Sequence, residues 1–396
     1  MKREKLVFVA GDNNKNIFHS VETVLSNIIN LLNDAKRQKI YLISLVFFVT
    51  EKKDDFYTIR QFIIDKVKEY LPVTPAISII GQPPADGSDI ILEAEIIENM
   101  MTDTNISYLQ IEDGIYCTKI ESAKATEYNI FGITTGNNKN LITEKVNDAF
   151  EILNRTLIAR GLGMNNIVRQ WNYIEDIVGF SGTKNGQIQN YQILNNIRHK
   201  FYSNYKFPQG FPAATGIGMS VGGFIIDCIV IIEKSDLKIT PVKNPAQVSA
   251  YDYSEKVLIG SEIEKNFPLL TPKFERAKLY ETGEDQYSML ISGTAAIQAE
   301  ESLAKEDAGK QAEITFDNIR RLIDYGLEHL KRYGMKVEKT TFNYLRVYIK
   351  RNEDFSAVKA ICESNIMEIA PVYLIADICR AELLVEIEGV TTISIA

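Results

Sequence analysis

The stretch ADICRAELLVEIEGV, residues 376–390, has the alternating pattern of a β-strand. A period of two places Glu382, Glu386 and Glu388 on one face, with leucine, valine and isoleucine on the other. An antiparallel strand with one solvated face is the plainest interpretation. A row of carboxylates beside a Cys-Arg pair is also typical of a chemical site, and the surrounding elements bear on that choice.

The elements around this strand recur in the same order near the start of the chain. Two strands alternate with two helices, and two more strands follow: LVFVAG, HSVETVLSNIINLLNDA, IYLISLVFFVTEKKDDF, TIRQFIIDKVKEYL, VTPAISII and SDIILEAEIIE. The C-terminal set pairs YIKRNEDF with FVTEKKDDF, and LVEIEGV with ILEAEIIE. The middle of the chain, from EYNIFGITTG to GGFIIDCIVII, repeats the order more loosely.

Three consecutive modules of one design are therefore predicted. Each has two helices that cover one face of a sheet, which is an α+β pattern. We place the modules at residues 1–102, 103–270 and 271–396, the second with insertions and the third with the acidic strand.

Composition excludes several classes of function. The net charge of −8 argues against nucleic acid as a partner, because phosphate binding needs a basic surface. The four cysteines form no CxxC pair and the three histidines have no ligand spacing, so neither a metal site nor a disulfide framework is predicted. The longest apolar runs have strand length, which predicts a cytoplasmic protein with no membrane partner.

The module resembles the YjgF/RidA family, whose members are trimers with a ligand site at each subunit junction. The resemblance implies that this chain folds as a pseudo-trimer, and that it is a monomer because the trimerising surfaces are used internally. Alignment of the closing strands puts Glu93, Asp227 and Glu386 in equivalent places. The family's substrate-binding arginine is missing from TPAISII, FPAATGI and APVYLIA, which argues against imine deamination.

A closer resemblance, over about residues 168–390, is to the chorismatase family. It is carried by QWNYIEDI, YQILNNIRHKFY, FPAATGIGM, NPAQVSAYDY, PKFERAKL, LISGTAAI and ADICRAELLVEIEGV. Chorismatases remove the enolpyruvyl group of chorismate as pyruvate and leave a cyclohexadiene diol or a hydroxybenzoate. The resemblance implies chorismate as substrate and no cofactor.

Glu386 matches the catalytic glutamate in the family motif. Cleavage of an enol ether begins with protonation of its methylene carbon, so the acid must stay protonated near neutral pH. A glutamate buried in a module junction, beside the negative charge of the substrate, would have its pKa raised as required. Glu388 shares the strand face, and we expect a structural role for it.

Chorismate is a dianion, and arginine offers its carboxylates a planar pair of donors. The candidates are Arg198, Arg276, Arg346 and Arg380. The alternative for each arginine is a solvated side chain or a structural ion pair. Tyr251 and Gln247 are further substrate-binding candidates, implied by the resemblance alone.

Cys379 and Gly293 are implied to select the product. In the chorismatase motif a cysteine at the first position accompanies the branch that forms hydroxybenzoate, and glycine at the second favours the same branch. The alternatives are a small buried hydrophobic residue for Cys379 and a strand glycine needed for close backbone approach for Gly293. The resemblance therefore implies 3-hydroxybenzoate as the product, with the diol as the alternative.

Two other functions remain open from the sequence. One is a RidA-like binding protein without catalysis, in which the acidic strand is a solvated face. The other is an imine deaminase, against which the missing arginine argues.

Overall fold

The computed structural model describes residues 2–11, 16–34, 39–50, 55–98, 103–135, 141–183, 186–234, 237–258, 269–283 and 285–396. Three main sheets follow one another along the chain, and each is accompanied by two helices. Within these ranges, no helix is both long and apolar enough to cross a membrane.

The first module is the simplest form of the repeated unit. Its elements are β1 (Lys2–Ala10), α1 (Ile17–Leu32), β2 (Ile40–Val49), α2 (Phe56–Tyr70), β3 (Ala76–Ile80) and β4 (Ile90–Glu98). β1 pairs antiparallel with β4, β4 pairs antiparallel with β2, and β2 pairs parallel with β3. Asn16 caps α1 by accepting a hydrogen bond from the Phe18 N–H, and the apolar stripe of α1 is buried.

The second module keeps this core and adds strands at one edge. Its elements are β5 (Asn105–Glu112), β6 (Ile115–Glu121), β7 (Ala125–Ile133), α3 (Ile142–Ile158), β8 (Ile167–Glu175), β9 (Phe180–Thr183), β10 (Gly186–Gln189), α4 (Asn190–Tyr202), β11 (Ala213–Met219) and β12 (Phe224–Glu233). The sheet order is β11-β8-β12-β7-β6-β5, and β9 and β10 form a separate pair.

The third module has the same core and a longer first helix. Its elements are β13 (Ile239–Val242), β14 (Ala277–Gly283), β15 (Gln286–Ala295), β16 (Ile297–Gln298), β17 (Glu301–Ser302), α5 (Ala308–Arg332), β18 (Val337–Ile349), α6 (Phe355–Asn365), β19 (Val372–Ile375) and β20 (Val385–Ile395). The sheet order is β13-β14-β15-β20-β18-β19, and β16 and β17 form a separate pair.

The three cores therefore share one topology. In chain order the repeated strands are β1, β2, β3 and β4, then β7, β8, β11 and β12, then β15, β18, β19 and β20. Each set places its first strand beside its last, and its second beside its third as a parallel pair. The prediction of an α+β chain of three modules of one design is confirmed, whereas the boundaries after residues 102 and 270 stay predictions.

The alternation predicts one strand over residues 376–390, but in the structure only the second half of this stretch is a strand. Its first half is a loop, because the Leu383 N–H turns back to donate to the Arg380 carbonyl oxygen at 3.1 Å. The side chain of Gln311 then accepts from the Leu384 N–H at 2.7 Å, and β20 begins at Val385. The strand also has no solvated face at its start, since Val385 to Gly389 are all buried.

Candidate active site

A cleft between the second and third modules collects most of the predicted site residues. Its walls come from α4 and β11 on one side, and from β15, β20 and the loop before β20 on the other. Six predicted residues line it: Arg198, Arg276, Gly293, Cys379, Arg380 and Glu386. Residues far apart in the sequence thus meet in a single cleft.

Glu386 lies deep in the cleft on β20. It is opposite Ala295 on β15 and Tyr348 on β18, and only 4% of it is exposed. Burial raises the pKa of Glu386 to about 8, and the negative charge of Glu388 adds to the rise. Glu386 is therefore a neutral carboxylic acid near pH 7, able to donate a proton.

Gly293 leaves the space that the Glu386 carboxyl occupies. A β-carbon at residue 293 would lie 2.0 Å from Glu386 Oε1 and 3.2 Å from Thr215 Cγ2. Gly293 also falls where the pairing of β15 with β20 shifts, between Ile291 and Thr294. A larger residue there would displace the carboxyl.

Three buried arginines face the cleft without an acidic partner. Arg198 is on α4, Arg276 directly precedes β14, and Arg380 is in the loop before β20. Their exposed fractions are 2%, 6% and 8%, and within the described ranges none of them forms an ion pair. Unpaired buried charge is costly, so this arrangement favours an anion in the cleft.

The hydrogen bonds of these arginines go to neutral groups. Arg198 donates to Asn195 Oδ1 at 2.6 Å, and Arg276 donates to the Tyr253 hydroxyl at 2.7 Å. Arg380 donates to a backbone carbonyl oxygen at 2.7 Å. The Nε atoms of Arg198 and Arg276 are buried without a hydrogen-bond partner among the described residues. Both guanidinium groups therefore keep donor capacity for a ligand.

Cys379 presents a neutral thiol to the cleft. Burial, together with the nearby Glu386 carboxyl, raises the pKa of the Cys379 thiol to about 12. A thiolate is disfavoured there at neutral pH, so Cys379 can pass a proton or fill space but is a poor nucleophile.

Arg346 lies outside the cleft, at the centre of the three modules. Its guanidinium donates to both oxygens of Glu93, at 2.9 and 2.6 Å, and to Glu388 at 3.0 Å. It also donates to the Tyr173 hydroxyl at 2.9 Å. Since its donors are used by residues of all three modules, the structure gives Arg346 a structural position and not the predicted substrate-binding one.

Tyr251 and Gln247 do not line the cleft either. The Tyr251 ring packs 5.5 Å from the Phe211 ring, between centroids, while Tyr253 two residues later reaches the cleft. The Gln247 side chain donates to the Ile297 carbonyl oxygen at 3.0 Å and so supports the cleft from behind.

The sequence patterns missed several polar lining residues. Tyr191, Gln192 and Asn195 lie on α4 and line the cleft together with Arg198, and Tyr253 lies between the other two arginines. The signal for the α4 set is spacing, because residues three or four apart share one helix face. A buried polar face on an otherwise apolar helix indicates a site.

A second cleft, between the third and first modules, has no counterpart of Glu386 among its described residues. It is lined by Val7, Val9 and Ile91 among others. Ile91 pairs with Val9 across the first and last strands of its module, as Glu386 pairs with Ala295. An isoleucine therefore stands where the cleft between the second and third modules has its carboxylic acid.

This register corrects the predicted equivalence of Glu93 and Glu386. Glu93 and Glu388 both bind Arg346, and the charge of Arg346 also acts on Asp227. The equivalent carboxylates of the three closing strands are therefore Glu93, Asp227 and Glu388. The predicted alignment is wrong by two residues in the third module, where Glu388 and not Glu386 is equivalent to Glu93. Glu386 lies on the same face of β20 as Glu388, two residues earlier.

Comparisons with known proteins agree with the sequence resemblance. A family model described as "Chorismatase FkbO/Hyg5-like, N-terminal" matches residues 115–230. A chorismatase from Streptomyces rapamycinicus is 32% identical over 235 residues, 58% of this chain and 65% of the relative. A 3-hydroxybenzoate synthase from Streptomyces hygroscopicus is 32% identical over 237 residues, 58% of this chain and 64% of the relative.

The fold also matches a solved protein over nearly its whole length. A chorismatase crystal structure aligns with a TM-score of 0.64 and 19% identity, covering 98% of this chain and 99% of that one. The chain spans less than two thirds of the length of its curated relatives in the sequence comparison, with 65% and 64% for the two above. The chain is therefore similar in sequence to chorismatases over 58% of its length, and it has the fold of a solved chorismatase over nearly all of it.

Proposed function

We propose that this protein is an enzyme that cleaves chorismate into pyruvate and 3-hydroxybenzoate. The names of its relatives, chorismatase and 3-hydroxybenzoate synthase, support the substrate and the product class. The chemistry of the cleft between the second and third modules supports the same activity independently.

One observation carries the proposal: three buried arginines and one buried carboxylic acid line a single cleft. Arg198, Arg276 and Arg380 have no acidic partner within the described ranges, so the cleft has an excess of positive charge. A dianion such as chorismate would supply the missing charge, and arginine can bind each of its carboxylates through two parallel hydrogen bonds.

Glu386 is the proton donor in this proposal. Its raised pKa keeps the carboxyl protonated, and a bound dianion would favour the neutral form further. The proton goes to the methylene carbon of the enolpyruvyl group, which thereby becomes the methyl group of pyruvate. The arginines hold the carboxylates and fix the ether beside the acid.

The two product branches differ in the group that attacks. In the hydroxybenzoate branch the ring hydroxyl displaces the enolpyruvyl oxygen, and the resulting arene oxide opens and aromatises with no water consumed. In the diol branch water adds to the protonated enol ether, and the hemiketal collapses to pyruvate and the ring diol. Cys379 and Gly293 both line the cleft beside Glu386, and we propose that they favour the first branch.

A coupled assay tests this function. The purified protein is mixed with chorismate, and pyruvate is followed with lactate dehydrogenase and NADH. We expect pyruvate release well above the rate of chorismate alone, with 3-hydroxybenzoate as the chromatographic partner product. Pyruvate at the blank rate, with chorismate binding seen by calorimetry, would instead favour a non-catalytic binding protein.

We also propose that the protein is a monomer that works in the cytoplasm. The three modules already contact one another around Arg346, so the surfaces that separate subunits would use to form a trimer lie within one chain. Light scattering in solution tests this, and a stable homotrimer would contradict it.

A further inference from the structure

Thr215 links the second module to β20, the strand of the third module that carries Glu386 and Glu388. It lies on β11, opposite Trp171 on β8, and is 1% exposed. Its hydroxyl donates to Glu388 and accepts hydrogen bonds from Arg169 at 2.7 Å and from the Gly293 N–H at 3.0 Å. A hydroxyl has one donor and two acceptor sites, so all three are used.

The bond to Gly293 fills a gap in the sheet. Because the pairing of β15 with β20 shifts between Ile291 and Thr294, Gly293 is not paired with β20. The N–H of this partly buried residue has no partner on β20, and the Thr215 hydroxyl accepts its hydrogen bond from another module.

Glu388 gives this link a rigid anchor. Its carboxylate accepts hydrogen bonds from Trp171 at 2.9 Å and from the Tyr348 hydroxyl at 3.0 Å, besides its bonds to two arginines. It is completely buried, and a carboxylate with this many donors has little freedom to move.

The contacts of Thr215 and Gly293 extend to the carboxyl group of Glu386. Glu386 Oε1 and the Thr215 methyl group border the same space beside the Gly293 α-carbon. We propose that Thr215 is a positioning residue for Glu386: its hydroxyl ties the Gly293 bulge to Glu388 and so fixes the space in which the acid meets the substrate. The catalytic part of this inference rests on the proposed function.

The test compares Thr215→Val with Thr215→Ser. Valine keeps the volume and loses the hydroxyl, so we expect kcat to fall about 10- to 100-fold, as for a small misplacement of a catalytic group, with KM within about twofold. Serine keeps the hydroxyl, and we expect it to retain kcat within about threefold of the wild-type value.

Thr118→Val is the matched control. Thr118 is also completely buried, and its hydroxyl accepts a backbone N–H across modules, from Ala76 at 2.9 Å. We expect this variant to lose stability and to keep its kcat. An equal fall in kcat for Thr118→Val and Thr215→Val would overturn the inference, as would normal turnover in Thr215→Val or failure of serine to restore it.

Hydrogen exchange at the Gly293 amide provides a readout independent of turnover. We expect protection to be lost in Thr215→Val and kept in Thr215→Ser, and equal protection in both would refute the link. A wild-type protein without pyruvate release would refute the proposed function alone. If Thr215→Val does not fold, Thr215→Cys replaces it, because a thiol is a much weaker hydrogen-bonding group than a hydroxyl. A wild-type kcat in Thr215→Cys would again refute the inference.

Discussion

The α-carbon of Gly293 and the carboxyl of Glu386 are in such close contact that a β-carbon on residue 293 would lie 2.0 Å from Glu386 Oε1. A carbon and an oxygen that are not bonded to each other do not come this close, so any side chain at 293 must move the Glu386 carboxyl. The acid itself is enclosed by buried neighbours. The residue type at 293 therefore limits where the Glu386 carboxyl can lie.

Gly293→Ala should slow pyruvate release and change the product. We expect a loss of about 10- to 100-fold in kcat, because displacement of a catalytic group by about 1 Å has an effect of that size. We also expect a larger share of diol in the remaining product, measured by chromatography against both standards. Gly283→Ala is the control, since a β-carbon there meets its nearest neighbour at an ordinary 3.6 Å. Normal turnover in Gly293→Ala would show that the carboxyl is not confined.

Glu386→Gln should keep the fold and substrate binding but lose most turnover. The amide fills the same space and cannot donate the proton, so kcat should fall about 10²- to 10⁴-fold in the pyruvate assay. Asp227→Asn is a matched control, because burial also raises the pKa of Asp227, to about 7, and Asp227 does not line the cleft. Near-normal activity in Glu386→Gln would remove Glu386 as the acid.

Activity should disappear at alkaline pH. In the proposed reaction Glu386 is the proton donor, so the active form is the neutral one, present below its pKa of about 8. We expect kcat/KM to fall about tenfold per pH unit above that value. The fall in kcat should begin at higher pH, because a bound dianion stabilises the neutral form of Glu386. A profile that stays flat above pH 9 would contradict the assignment.

The same group links stability to pH. The ordinary pKa of a glutamate is 4.5, and the folded value is about 8, so between them the folded state binds one proton more than the unfolded chain. The free energy of unfolding should therefore decrease as pH rises through this range. Glu386→Gln should lack this contribution, and urea titrations at several pH values compare the two slopes.

The sequence predicts the repeated topology well because each module carries its own pattern of strands and helices. It also predicts Glu386, Cys379 and Arg198 as site residues, since family motifs contain them, and the structure places all three in one cleft. It cannot separate Arg346 from the cleft arginines. Only the packing of three modules shows that Glu93, about 250 positions earlier in the chain, pairs with it.

Replacement of Arg346 by methionine should therefore affect stability and not substrate binding. The change leaves Glu93 and Glu388 buried with fewer counter-charges, and breaking a buried ion pair in this way costs about 3–5 kcal/mol. Urea unfolding measures the loss, and Arg320→Met, at an exposed helix pair, is the control. A variant with unchanged stability and a raised KM would instead return Arg346 to the substrate site.

Cys379→Ala should divert flux from 3-hydroxybenzoate to the diol. The thiol lines the cleft in its neutral form, so it can relay a proton while the arene oxide opens, and alanine cannot. The smaller side chain also leaves room for water beside the protonated enol ether, which favours the branch that consumes water. We expect pyruvate release to continue while the diol becomes the major product. Cys362→Ala, which removes a buried thiol from α6, should leave the product ratio unchanged. An unaltered product ratio in Cys379→Ala would show that the thiol does not select the branch. Diol as the main product of the wild-type protein would reverse the branch assignment and leave the proposed cleavage by Glu386 in place.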